Sequence, residues 1–148
     1  MPFKFNLSTK DGKTYKLEAE AEEIIGRELH DKIAGKIVAP ELDGYEFEIA
    51  GASDKAGFTA MENVDGIALK KILLPYGKAM HMRPKGLKKI NRKPAGLRLR
   101  KTVRGKVISP AIIQINLKVL KDGAKKLAEI FPEQNQPKEK PAEPEEKK

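Results

Sequence analysis

The sequence predicts a mainly β protein of the β-rich α+β kind, a small barrel or a strongly twisted antiparallel sheet with one or two short helices. Three observations carry that expectation. Apolar and polar residues alternate in several separate runs, which is the period of a strand with one buried face. Asp-Gly pairs punctuate those runs at Asp11-Gly12, Asp43-Gly44 and Asp122-Gly123, where both residues tolerate turn geometry. Helical spacing is short wherever it occurs and is interrupted by Gly or Pro.

Taken in order, Phe3, Phe5 and Leu7 alternate with Lys4, Asn6 and Ser8. After Asp11-Gly12 the run Tyr15, Leu17, Ala19, Ala21 returns, so the chain opens on a hairpin. Between Glu22 and Lys36 the period changes. Ile24, Ile25, Leu29 and Ile33 suit one short helix or a pair of irregular turns, weakened at Gly26 and Gly35. Tyr45, Phe47 and Ile49 alternate with Glu46 and Glu48, a strand with an acidic solvated face. Residues 51–58 (GASDKAGF) read as a tight, shaped loop.

Residues 67–74 (IALKKILL) fit either a buried strand or a helical turn, and Pro75 closes them. Lys78 to Gly96 carries Pro84, Gly86, Pro94 and Gly96 and reads as extended loop. Leu97 and Leu99 interleave with Arg98 and Arg100 ahead of Val103, a strand with one cationic side. Ile112 to Leu120 alternates through Ile113, Ile115, Leu117 and Val119. Ala124 to Phe131 is expected to form a last helix. Residues 132–148 (PEQNQPKEKPAEPEEKK) hold no aromatic and no aliphatic larger than Ala. That composition cannot bury enough apolar surface to offset ordering entropy, so a disordered tail is expected after a folded body spanning 1–131.

The totals narrow the function classes. A body of this size can bury one hydrophobic core. There is no Cys among the 148 residues, which excludes disulfides and thiolate metal sites and suits a reducing compartment. Met1 is followed by PFKFNLSTKDGK, without the apolar segment of a secretory signal. No run reaches the ~20 apolar residues of a membrane span. The expectation is a cytoplasmic protein.

An enzyme is not expected. The two histidines, His30 and His81, are far apart and outside any His-x-x-x-His pattern; both read as ordinary polar side chains. No phosphate-cradling Gly loop occurs, and Gly51 to Gly57 has the wrong spacing for a nucleophile elbow. No cofactor, metal or small-molecule substrate is expected.

Charge is the informative feature. From Gly66 to Lys121 the chain holds sixteen Lys and Arg and no Asp or Glu. Met1 to Asp65 carries eight basic and fourteen acidic residues, and Asp122 to Lys148 six and seven, so the net +9 comes from one stretch. Such a field repels itself unless a polyanion neutralises it, and ordinary surfaces mix the signs. Between Gly77 and Leu120 there is no Phe, Tyr or Trp, so the stretch itself offers no platform for unstacked bases. Cations on Pro- and Gly-broken backbone suit phosphates and sugar edges of a folded RNA. The candidate RNA-binding residues are Lys78, Arg83, Lys85, Lys88, Lys89, Arg92, Lys93, Arg98, Arg100, Lys101, Arg104 and Lys106. The arginines can clamp phosphate bidentately, and the lysines act as point charges. A free-standing protein-interaction or assembly factor, docking an acidic partner on the same stretch, is the alternative.

Residues 49–58 (IAGASDKAGF), the YEFEI run before them, and residues 97–109 (LRLRKTVRGKVIS) followed by IIQINLKVL resemble the ribosomal protein S6e family of archaea and eukaryotes. The resemblance runs in order from about Phe3 to Phe131. Ala52 stands where the family usually has Gly, and Thr59-Ala60 where it usually has Pro-Met. The resemblance implies a β-rich structural component of the small ribosomal subunit, bound to ribosomal RNA and beside neighbouring ribosomal proteins. Eukaryotic members extend into a basic helix ending in phosphorylated serines. After Ser109 this chain has no Ser, Thr or Tyr, so it resembles the short, archaeal form and that regulation is not carried over.

Overall fold

Strand β1 (Phe3–Ser8) and strand β2 (Thr14–Ala19) form the expected opening hairpin, with Phe5 opposite Leu17 and Leu7 opposite Tyr15. The Thr9 N–H donates to the Lys13 carbonyl at 2.9 Å, and Gly12 takes φ +81°, which closes the turn. The computed structural model describes residues 2–82, 95–132 and 134–135.

Residues 22–42 resolve into short pieces. A 3-10 turn at Glu22–Ile24 is followed by strand β3 (Lys32–Ala34), the single-turn helix α1 (Gly35–Val38) and a second 3-10 turn at Pro40–Leu42. Strand β4 covers Glu46–Asp54, β5 Leu69–Pro75, β6 Arg98–Arg104 and β7 Ile112–Lys121. The expected last helix shrinks to one turn, α2 (Leu127–Ile130).

The mainly β expectation holds, with a sheet that is mixed and open rather than closed into a barrel. Five strands pair in the order β2-β1-β7-β4-β3, and β5 and β6 form a separate two-stranded antiparallel ribbon. The terminal strands β1 and β7 lie side by side in parallel, Phe5 beside Ile115 and Leu7 beside Leu117. β7 also pairs antiparallel with β4, setting Ile49 opposite Leu117 and Ala52 opposite Ile115. Rows of apolar side chains therefore cross the sheet on one face. Phe5, Leu7, Phe47, Ile49, Ile115 and Leu117 are fully buried there, under Ile24, Val38 and Leu42 from the irregular segment.

Strand β4 departs from the expected loop at residues 51–58, because it continues to Asp54. Its ladder shifts between Ile49 and Gly51. A bulge inserts one unpaired residue and reverses which residues face inward. Phe47 and Ile49 are buried before the bulge, and Ala52 and Asp54 after it. The bulge thus turns Asp54 away from the solvated side that carries Glu46 and Glu48.

The ribbon has its own small core of Met61, Val64, Leu74, Met80 and Val103. It joins the body through the Thr59–Met61 segment, where the Arg104 N–H donates to the Thr59 carbonyl and the Met61 N–H to the Arg104 carbonyl, both at 3.0 Å. At the start of the expected loop from Lys78 to Gly96, a tight turn is closed between Gly77 and Met80; residues 83–94 lie outside the described residues. The expected tail also lies largely outside them. Gln134 and Asn135 bond to β2, the Gln134 Nε2 donating to the Lys16 carbonyl and the Asn135 Nδ2 to the Thr14 carbonyl, both at 2.9 Å.

Candidate nucleic-acid interface

The ribbon register decides which cations share a face. Lys71 stands opposite Thr102, Leu73 opposite Arg100 and Pro75 opposite Arg98. Opposite residues of an antiparallel pair point to the same side, and the alternation repeats every second residue. Lys71, Arg98 and Arg100 therefore share the outer face, all exposed. Exposed Leu69 and Leu73 lie among them, with Ile67 just before the strand. Ile72, Leu74, Leu99 and Val103 take the inner face and pack on the small core.

Six of the sequence-predicted residues are described: Lys78, Arg98, Arg100, Lys101, Arg104 and Lys106. Arg83, Lys85, Lys88, Lys89, Arg92 and Lys93 lie outside the described residues. Among the described residues, Lys78, Arg98, Arg100 and Lys101 have no carboxylate within ion-pair distance. The Lys101 ammonium instead meets the Met82 sulfur at 2.7 Å.

Arg104 and Lys106 are turned inward. The Arg104 Nε donates to Asp54 Oδ2 at 2.9 Å, with the side chains only 17% and 4% exposed, and its Nη1 donates to the Ile67 carbonyl at 3.1 Å. Burial pushes the Asp54 carboxyl up. The Arg104 guanidinium and the Phe58 and Ala56 N–H groups outweigh that burial and hold the carboxyl below its ordinary range. Lys106 bridges Glu28 at 3.0 Å and Asp65 at 3.2 Å, and hydrogen bonds to those two carboxylates raise its pKa. These two cations tie the ribbon to the body.

Sequence reasoning missed Lys71 and Phe58. Lys71 is marked only by the pairing of two alternating runs, which brings it diagonally beside Arg100. Phe58 reaches the cations through the fold. The Asp54 Oδ1 accepts the Phe58 N–H at 2.9 Å, and the Asp54 N–H donates to the Phe58 carbonyl at 3.1 Å, closing a turn through Gly57 at φ +84°. That turn stands against the ribbon and leaves a cleft of about 440 Å³ lined by Phe58, Thr59, Lys71, Arg100 and Lys101.

His30 also differs from its expected role as a plain solvated side chain. It sits at φ +71° with its ring between Glu48 at 2.9 Å and Glu62 at 3.0 Å. The hydrogen bond to Glu48 raises its pKa, desolvation opposes that, and Glu62 adds to the rise. Among the described residues no cluster of three or more His, Asp or Glu side chains is arranged to hold a metal ion, and no helix is long and apolar enough to cross a membrane. Among the described residues the arrangement sets the exposed cations Lys71, Arg98 and Arg100 on one ribbon face.

The chain is similar to known proteins over most of its length. The family described as Ribosomal protein S6e matches residues 3–132. A protein of Methanococcus maripaludis named "Small ribosomal subunit protein eS6" is 37% identical over 125 residues, covering 84% of this chain and 91% of its own length. Proteins with the same name are 36% identical over 122 residues in Methanocaldococcus jannaschii, covering 82% and 84%, and 38% identical over 136 residues in Methanosphaera stadtmanae, covering 90% and 95%. The matched residues run from the start of β1 to just past α2, and by that extent the chain belongs to the ribosomal protein S6e family.

Proposed function

We propose that this chain is a structural, non-catalytic constituent of the small ribosomal subunit and binds ribosomal RNA through phosphate contacts from the ribbon and the basic segment beside it. The observation that carries the reading is the charge segregation on β5 and β6. Lys71, Lys78, Arg98, Arg100 and Lys101 have no carboxylate partner among the described residues, whereas Lys4, Lys106 and Lys121 of the body and its junction are paired with Glu18, Glu28 and Glu46. Exposed cations on a ribbon from a stretch without Asp or Glu, beside a body whose first 65 residues hold more acidic than basic side chains, fit a phosphate backbone. Arg83, Lys85, Lys88, Lys89, Arg92 and Lys93 extend the same field in sequence. Exposed Ile67, Leu69 and Leu73 supply apolar surface for a neighbouring ribosomal protein.

Salt titration tests the reading. With about six phosphates neutralised, log K for small-subunit ribosomal RNA should fall against log salt with a slope near −4 to −5. A salt-independent interaction overturns it. The exposed apolar side chains also fit an assembly factor that leaves the ribosome. Sedimentation separates the two: stoichiometric migration with the small subunit supports a constituent, and a light fraction supports the factor. On the first reading the protein resides on cytoplasmic ribosomes.

A further inference from the structure

We propose that the cleft between the Asp54–Phe58 turn and the ribbon takes one unstacked nucleotide of the bound RNA, its base against the Phe58 ring and its phosphate on Lys71 and Arg100. This rests on the RNA-binding reading above and narrows it from backbone contact to an extruded base.

Phe58 is the reason. It is half-buried, yet it belongs to neither hydrophobic core, among the described residues, in a chain whose other phenylalanines, Phe3, Phe5, Phe47 and Phe131, all pack on one. An aromatic ring withheld from packing normally has another surface to meet. Its position is nonetheless well defined, because its backbone N–H and carbonyl are both bonded to Asp54. Asp54 in turn is held by Arg104. The ring is thus presented by a braced turn rather than by a free loop.

The cleft it lines is cationic. The cleft walls bring Lys71, Arg100 and Lys101 to Phe58 and the hydroxyl-bearing Thr59, in a space of about 440 Å³. That lies within the range of ligand-sized clefts. An apolar ligand would leave the cations uncompensated, and a bare phosphate would leave the ring unused. A nucleotide carries both a π-face and an anion, and bases splayed from RNA are commonly stacked on Phe or on the plane of an Arg guanidinium. Arg100 can serve in either way.

The test uses the full chain and a transcript of archaeal small-subunit ribosomal RNA. Phe58→Leu, which keeps the bulk and removes the π-face, should weaken binding roughly fivefold to a hundredfold. The salt slope should stay unchanged, since no cation is lost. Phe58→Tyr should bind within about twofold of the parent, and ultraviolet crosslinking should place a nucleotide on the peptide containing Phe58. Binding of Phe58→Leu within about twofold of the parent overturns the inference, as does loss of its fold, which would make the ring structural. Arg100→Ala keeps the two readings apart. If it lowers the slope by about 0.7 to 0.9 while Phe58→Leu does nothing, phosphate contact stands and base stacking falls; if neither variant matters, both fall.

Discussion

Asp54 and Arg104 meet at 2.9 Å across fifty residues of chain, and the same carboxylate also accepts the Phe58 N–H. One side chain therefore joins the end of β4, the turn after it and the last residue of β6. The pairing depends on the β4 bulge, since an unbulged strand would leave Asp54 on the solvated face. With both carboxylate oxygens bonded, the desolvation of the pair is offset, so removing either partner strands a charge.

Replacing one partner should therefore be costly. We expect Arg104→Ala and Asp54→Asn each to destabilise the fold by about 2–4 kcal/mol, the lower end reflecting the partial exposure of Arg104. For a body of this size that is a melting-temperature drop of roughly 6–16 °C. The double variant should lose clearly less than the sum of the singles, and a double-mutant cycle by thermal unfolding measures the coupling. Strict additivity would mean the contact is energetically idle.

Acid stability should follow the same carboxylate. The Asp54 pKa is lowered in the fold, so its contribution is present above the unfolded value and is lost as pH falls through the folded one. Stability of the parent should decline on acidification below the ordinary carboxylate range more steeply than that of Asp54→Asn. Chemical denaturation at stepped pH gives both curves. Parallel curves would remove Asp54 as the source.

His30 has the opposite sign. Its pKa is raised by Glu48 and Glu62, so its contribution is complete below the unfolded histidine value and fades as pH rises through the folded one. The parent should lose a small increment of stability across that window, reduced by the exposure of the ring. His30→Asn, which tolerates the left-handed backbone at φ +71°, should flatten the window without unfolding the protein. Proton titration of the ring by NMR supplies the direct check, and an unshifted value would break the argument.

How much of this was legible beforehand depends on range. The opening hairpin, β7 and the Asp11-Gly12 turn follow from alternation and turn chemistry, which act over a few residues. The parallel seating of β1 on β7 joins Phe5 to Ile115, and no local pattern encodes a contact at that separation. The β4 bulge is similar: Gly51 reads as a loop residue until the ladder is seen. At the candidate site, charge density marked the basic stretch, but density cannot separate Arg104 and Lys106, which face their own carboxylates, from Arg98 and Arg100, which do not. Phe58 precedes the basic stretch in sequence, and only the fold brings its turn against the cations.

Gly105 follows Arg104 where the 65–68 loop crosses the ribbon. A Cβ there would lie 1.8 Å from the Gly66 carbonyl oxygen and 2.5 Å from its carbon, both backbone atoms. The Gly105 N–H also donates to the Ala68 carbonyl at 3.2 Å. Gly105→Ala must push the loop away, strain that we expect to destabilise by about 2–3 kcal/mol. It should also loosen the Lys106–Asp65 contact from the loop side. Denaturant unfolding checks the magnitude, and a neutral outcome would mean that the loop yields freely.

Arg98, Arg100 and Lys71 offer the reverse experiment. All three are exposed on one ribbon face and have no carboxylate partner among the described residues, so their charges contribute little to folding and repel one another mildly. Changing them together to Ala should leave the melting temperature within about 2 °C of the parent, since isolated surface substitutions stay within about 0.5 kcal/mol. Binding to small-subunit ribosomal RNA should weaken, and the salt slope should lose about 0.7 to 0.9 for each phosphate contact removed. Arg104→Ala should show the converse pattern, a large stability loss with the slope of its folded fraction nearly intact. If instead the triple variant melts early, or Arg104→Ala alone reduces the slope by a full contact, then the outer face is part of the scaffold and the ion-paired arginine is the one that meets RNA.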